Sequence, residues 1–288
     1  MKRSPTDLVI RPMRREELSF ASGLTAAEGW VSEDLPTLEG FYQHDPAGCL
    51  IAILENDPVG NVKATPYGEI GFIGELIVRP QHRDQGIGAE LLKRALAYLH
   101  SLGVSTIYLD GVLPAVPLYE RNGFRKVCRS LRFSGNPVGK RHPNVRPMQA
   151  DDLPGVCALD REAFGVDRSF FIKLRFERFP RLAKVMLDRG RLAGYILGRR
   201  GEDWLAAGSW VVSAENPQPQ GLLEDLACEA GERVLYLGVL AANTKAVELV
   251  KSLGFIENDD SPWRMAYGPG EGLGTSPQCY ALGSAAKG

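Results

Sequence analysis

The chain has 288 residues, about twice the ~150-residue length of an ordinary domain, so two domains are expected. Its 34 Lys and Arg against 35 Asp and Glu leave a formal charge of −1, which excludes the basic excess that general nucleic-acid binding needs. No window approaches the roughly 18 uninterrupted apolar residues of a membrane span. The start, Met1-Lys2-Arg3-Ser4-Pro5, runs into charged sequence with no apolar signal core behind it. Cys49, Cys128, Cys157, Cys228 and Cys279 are scattered and form no CxxC pair. A disulfide framework or zinc ribbon is therefore not expected, and the expected compartment is a reducing cytoplasm.

In chain order, Leu8-Val9-Ile10 reads as a short strand and Arg14 to Ala27 as a helical region. Gly48 to Leu54 and Pro58 to Thr65 read as two strands joined by an Glu55-Asn56-Asp57 turn. Glu69 to Val78 is a longer apolar strand that ends at Arg79-Pro80. An amphipathic helix follows: Ile87, Leu91, Leu92, Ala95, Leu99 and Leu102 fall at three- and four-residue steps, and Gly103 closes it. Val104 to Leu109 predicts the next strand and Val116 to Arg121 a short helix before Gly123-Phe124. Ser134 to Asn144 carries two glycines and two prolines and reads as a linker, Gly268 to Pro277 as a surface loop, and Tyr280-Ala281 as part of a late strand.

The second half repeats the first. Arg11-Pro12-Met13 with Glu16-Glu17-Leu18 returns 135 residues later as Arg146-Pro147-Met148 with Asp151-Asp152-Leu153. Leu91-Leu92 and Gly123-Phe124 return 131 residues later as Leu222-Leu223 and Gly254-Phe255. Three echoes in one order, at nearly one offset, indicate two related domains, 1–135 and 144–288.

Between a strand and the amphipathic helix lies the loop Arg83-Asp84-Gln85-Gly86-Ile87-Gly88-Ala89. A helix start leaves several N–H groups aligned with the positive end of its dipole, and glycines let a phosphate approach them. Arg83 could add a cation; a plain structural turn explains the same residues. Neither a GxxxxGK[ST] loop nor a full GxGxxG fingerprint is present, since position 91 is leucine.

Ile77-Val78-Arg79-Pro80-Gln81-His82 leading into this loop, with Leu91-Leu92 behind it, resembles the acyl-CoA motif of the GNAT superfamily of N-acetyltransferases, [RQ]xxGx[GA]. Leu118-Tyr119-Glu120-Arg121-Asn122-Gly123-Phe124 is similar to that superfamily's second signature, LYExxGF. The resemblance implies an α/β (α+β) fold of two tandem GNAT-like domains, each with a mixed, mostly antiparallel central sheet flanked by helices. It implies acetyl-CoA as co-substrate; no metal is expected. Backbone groups of Leu76, Ile77 and Val78 would take the pantetheine arm like an added strand. The amides of Asp84, Gln85, Gly86, Ile87, Gly88 and Ala89 would cradle the pyrophosphate beside Arg83. Tyr119 would protonate the departing thiolate.

The base is less defined. Asp110 ends the strand Ile107-Tyr108-Leu109 and is either a base or a solvated or salt-bridged carboxylate; Glu75 carries the same two readings, on a strand face opposite Leu76. Glu28-Gly29-Trp30 resembles a segment that lines the acceptor pocket, where a carboxylate beside an aromatic suits a cationic amine; a capped turn with a core tryptophan is the other reading. One departure stands out: where the superfamily often has NxxAxxLY, position 112 is Val112.

The repeat supplies an internal comparison. An offset of 131 maps Arg83, Gly86 and Gly88 onto Ala214, Pro217 and Pro219, and prolines have no N–H to donate. Tyr119 maps onto Val250, while the missing asparagine returns as Asn243, a plain helix cap or a trace of the family motif. The second domain therefore reads as a degenerate GNAT-like domain that shapes the acceptor pocket, with Arg161, Phe164, Asp167 and Arg168 as wall candidates; a folded helix face explains these residues equally well. His44, His82, His100 and His142 show no metal or triad pattern. The function expected is transfer of an acetyl group to a small-molecule amine by direct attack in a ternary complex, without nucleic acid or membrane as partner. A non-catalytic acyl-CoA sensor and a protein or peptide N-acetyltransferase are the alternatives. The sequence is silent on oligomeric state.

Overall fold

The computed structural model describes residues 7–30, 34–214, 218–270, 272–284 and 286. The chain divides into two compact units, Met1–Leu109 with Tyr267–Pro269, and Asp110–Ala266 with Gly270–Ala286. The sequence reading divides the chain at 135 and 144, whereas residues 110–135 cluster with the second unit.

In the first unit, β1 (Leu8–Pro12), β2 (Cys49–Leu54), β3 (Asp57–Tyr67), β4 (Ile70–Val78) and the first part of β5 (Thr106–Gly111, of which Asp110 and Gly111 cluster with the second unit) lie side by side in that order. The first four pair antiparallel, and β4 and β5 run parallel. Helices α1 (Leu18–Ala27) and α2 (Leu35–His44) connect β1 to β2, and α3 (Ile87–Ser101) connects β4 to β5. Ile87, Leu91, Leu92, Ala95 and Leu99 form the buried stripe of α3, as its periodicity predicts. Burying each of the larger ones contributes about 1.5–3 kcal/mol.

The second unit repeats this plan. After α4 (Val116–Arg121) and β6 (Arg125–Gly135) come β7 (Val145–Pro147), α5 (Leu153–Phe164), α6 (Ser169–Arg178), β8 (Ala183–Asp188), β9 (Arg191–Arg200), β10 (Trp204–Val212), α7 (Gln220–Ala227), β11 (Val234–Leu240) and α8 (Thr244–Ser252). Then follow β12 (Ile256–Glu257), β13 (Trp263–Tyr267) and β14 (Cys279–Ala281). Strands β7, β8, β9 and β10 pair antiparallel in sequence order, β10 and β11 run parallel, and β6 pairs with β11 on one edge and with β12 and β13 on the other. No described helix is long and apolar enough to cross a membrane.

The Arg-Pro-Met repeat has a physical basis. Arg11 grips Glu17 with two hydrogen bonds of 2.8 and 2.6 Å, and Glu17 accepts from the Arg14 amide at 2.7 Å. Arg146 grips Asp152 with two bonds of 2.7 Å, and Asp152 accepts from the Gln149 amide at 2.7 Å. Each clamp fastens the opening strand of its copy to the start of the following helix. The two planar groups meet as fork on fork, which sets both distance and orientation.

Hydrogen bonds from Arg146 hold the Asp152 carboxyl below its usual value. A depressed carboxyl contributes stability above about pH 4, where the unfolded chain is ionised, and loses it as the pH falls through the folded value. Asp152→Asn is expected to cost about 1 kcal/mol at neutral pH, the pair being partly solvated. Its difference from the parent should shrink on acidification, as urea midpoints at several pH values would show.

Candidate active site

One extra residue shapes the first unit. On β3, Asn61 pairs with Ile77 and Lys63 with Gly74, so Glu75 and Leu76 together stand opposite Val62. This β-bulge places Glu75 at φ 52° and bends β4. Pairing with β5 covers only Ile70–Phe72 against Thr106–Tyr108, and beyond it the strands separate. The Arg79 amide donates to Val59 O at 2.8 Å, so by strand alternation Ile77 also faces β3. Leu76 and Val78 are left to turn their backbone groups toward the gap. Ile77, read as a pantetheine partner, is thereby spent on β3.

At the end of β4 the loop 83–89 folds into the start of α3. Asp84 at φ 60° and Gly86 at φ 85° make the tight turn, which favours glycine at position 86. Gly86 is the N-cap and no side chain caps the helix, so the amides of Ile87, Gly88 and Ala89 open the helix without a side-chain acceptor. Gln85 donates through Nε2 to Gln81 O at 3.2 Å, which braces the loop from behind.

Arg83 departs from its expected role. Its Nε donates to Val78 O at 2.9 Å and its other arm is ion-paired with Glu28. The guanidinium thus ties the loop to β4 and to the end of α1, and its charge is already matched. Glu28 is brought to the glycine loop by this pair, while Trp30 is half-buried, its amide donating to Thr25 O at 2.9 Å. The reading of Trp30 as a core residue does not hold.

Beneath the bulge Glu75 takes its salt-bridged reading, with a partner that sequence reasoning did not find. Lys63 Nζ stands 3.1 Å from Glu75 Oε2, with their side chains 4% and 0% exposed, and 5.5 Å above the Phe41 ring. Asn61 Nδ2 donates to Glu75 O at 2.7 Å, which fastens the bulge itself. The signal was present: a lysine between Val62 and Ala64 in an apolar strand needs a buried partner.

Asp110 and Tyr119 belong to the second unit. Asp110 accepts from Arg264 Nε at 2.6 Å, Arg132 at 3.0 Å and Ser130 Oγ at 2.7 Å, and its side chain has no exposed surface. Burial pushes the carboxyl up, but Arg264 and Arg132 outweigh it and hold it below the usual range. A carboxylate so stabilised is a weak proton acceptor, so the reading of Asp110 as base gives way to that of a structural ion pair. Tyr119 is 6% exposed, with its ring edge-on to Phe124 at 5.9 Å, and burial raises its phenol well above the ordinary value. A Cβ at Gly111 would stand 2.9 Å from the Tyr119 ring, so the glycine makes room for it.

The internal comparison is also resolved. Pro219 is the N-cap of α7, and Pro217 lies outside the described residues. Asn243 caps α8, accepting from the Ala246 amide at 3.1 Å. Of the wall candidates, Phe164 and Arg168 are interior: Arg168 bonds Asp160 at 2.6 and 3.1 Å and lies 3.4 Å over the Phe164 ring. Arg161 and Asp167 form an exposed ion pair. Among the described residues no group of three or more His, Cys, Asp or Glu could hold a metal ion.

Comparisons with known proteins agree with this geometry. The model of the acetyltransferase (GNAT) family matches residues 12–124, and that of an acetyltransferase (GNAT) domain matches 156–280. The chain belongs to the GNAT acetyltransferase family and carries two GNAT domains. It is 35% identical over 107 residues to mycothiol acetyltransferase of Thermobispora bispora, covering 34% of this chain and 36% of that one. It is 25% identical over 142 residues to glucosamine 6-phosphate N-acetyltransferase of Trypanosoma brucei brucei, covering 44% of this chain and 95% of that one. A match to a Caenorhabditis elegans protein, 24% identical over 189 residues, covers 58% of this chain and 57% of that one. The chain therefore spans about half, or less, of some curated relatives' length. In fold it is similar to a candidate acetyltransferase of Pyrococcus horikoshii (TM-score 0.82, 24% identity, 99% of this chain and 97% of that one). It is also similar to a tandem GNAT protein from the clavulanic acid biosynthesis pathway (TM-score 0.61, 16% identity, 91% and 99%).

Asp110→Asn should act on stability. Removing the charge leaves Arg264 buried without its carboxylate, which costs about 3 kcal/mol or more. A urea midpoint close to that of the parent would contradict the structural role.

Proposed function

We propose that the first domain transfers an acetyl group from acetyl-CoA to an amine of a small molecule by direct attack in a ternary complex. The observation that carries this reading is the gap between β4 and β5, with the Leu76 backbone and the Val78 amide turned into it and the start of α3, which has no side-chain cap, at its end. An extended polar chain ending in phosphates fits such a cleft: its amides pair with strand backbone, and its phosphates with helix amides. Acetyl-CoA, when bound, supplies an acyl group activated as a thioester.

Residues of the chain have defined parts in this reading. Leu76 and Val78 orient the arm, and Ile87, Gly88 and Ala89 hold the pyrophosphate. The resemblance gives Tyr119 the part of proton donor: its phenol, protonated at neutral pH, would give its proton to the leaving thiolate as the new N–C bond forms and the C–S bond breaks. Glu75 and Asp110 are each locked in a buried ion pair, so the acceptor's proton passes to water. A covalent acyl-cysteine route is disfavoured: Cys49, the cysteine of the first unit, is buried and pushed up to about 12. Small-molecule amines as acceptors accord with the amino-sugar acceptor in the name of the Trypanosoma relative.

Titration calorimetry with CoA should give one site per chain. Tyr119→Phe should leave CoA affinity near that of the parent and slow turnover about 10²- to 10³-fold in an amine-library assay. Absence of CoA binding would remove the reading; binding without turnover on any amine would favour a sensor.

A further inference from the structure

The second unit carries the same bulge as the first. Between β9 and β10, Ala207 pairs with Gly198 and Trp210 with Ile196, so Gly208 and Ser209 stand opposite Leu197 alone. Parallel pairing of β10 with β11 ends at Ala207 and Leu237, and there too the strands separate. This gap is filled. Strand β14 enters it, pairing antiparallel with β10 at Trp210 and Ala281 and at Val211 and Cys279. The Val212 amide donates to Gln278 O at 3.0 Å on one side, and the Leu282 amide donates to Gly238 O at 2.8 Å on the other.

Four further features fit the inserted segment closely. A Cβ at Gly208, whose φ is 144°, would stand 1.9 Å from Leu282 O, so only glycine admits the strand there. Asn243 uses its carbonyl oxygen to cap α8 and its amide to donate to Pro277 O at 3.2 Å and Cys279 O at 3.0 Å. Tyr280 lies against Trp210 with ring centroids 5.0 Å apart, and Cys279 Sγ reaches Ala163 O at 3.4 Å.

We infer that the gap between β10 and β11 is a strand-binding slot whose ligand is an extended peptide, supplied by residues 277–282 of this same chain. The slot takes backbone on both sides, and Asn243 is its latch. The two amide-to-carbonyl bonds satisfy groups that separation of β10 from β11 strands, and the glycine at 208 is the relief that a peptide carbonyl needs. The second unit is thus closed to a pantetheine arm by its own backbone, in addition to the proline at position 219. This inference stands apart from the acyl-CoA reading of the first unit.

The test uses a chain ending at Ser276 and a synthetic peptide of residues 277–288. The peptide should bind the shortened chain one to one and leave the full-length chain unbound, and a Leu282→Pro peptide should bind about tenfold or more weakly for loss of the bond to Gly238. No binding to the folded shortened chain, or equal binding to both chains, overturns the inference. Should the shortened chain fail to fold, Asn243→Asp in the full chain keeps the cap on α8 and removes both donors. Hydrogen exchange at the Val212 and Leu282 amides should then quicken about tenfold or more, with Val250 inside α8 unchanged. Unchanged exchange at both amides overturns the inference. Two CoA sites per full-length chain would also overturn it, whereas none would remove only the reading of the first unit.

Discussion

A strand that gains one residue over its neighbour cannot stay in register on both sides, and this chain uses that constraint twice. The bulge at Glu75 and Leu76 keeps β4 paired with β3 and frees it from β5; the bulge at Gly208 and Ser209 does the same for β10 between β9 and β11. The two domains differ in what then happens to the stranded amides and carbonyls. Backbone groups away from water need partners. In the second unit β14 provides them; in the first, Arg83 takes Val78 O, and the Leu76 backbone and Val78 amide face a gap beside a helix start that no side chain caps.

Charge is used as a fastener around these frames. The clamps Arg11–Glu17 and Arg146–Asp152 fix the beginning of each copy, the Lys63–Glu75 pair holds the bulge of the first, and Arg264 with Arg132 neutralises Asp110. The clamps lie partly in solvent and each contributes modestly. The buried pairs matter in another way: once both partners are inside, removing either one is far costlier than the pair is worth, so such residues resist change even where they touch no substrate.

Much of the fold was legible because its signals are local. The stripe of α3 from Ile87 to Leu99, the turn at Glu55 to Asp57, the glycine loop and the repeat of Arg-Pro-Met each lie within one element or at one offset. The candidate site was legible only in part. Arg83 looked like a phosphate ligand because its charge is visible in sequence, and its partners, Glu28 and Val78 O, are not. Asp110 looked like a base because it ends a strand; that it meets Arg264, distant in sequence, depends on β6 and β13 lying together. The prolines after Val212 are visible in sequence, yet the filling of the second slot by β14 has no local signature beyond a short apolar run at Cys279 to Leu282.

Strand β14 meets β10 across a separation of about seventy residues, with Ala281 opposite Trp210, whereas β9 reaches β10 through a tight hairpin. Contacts that close long loops form late, because their entropy is lost before their bonds are gained. During synthesis β10 and β11 are also made well before β14. Until β14 docks, the slot stays open, with unpaired strand edges of the kind that invite mispairing. Docking of β14 closes it, and the approach of Tyr280 to Trp210 gives the step its own optical signal, in the quenching or shift of an indole that is fully buried when the strand is home.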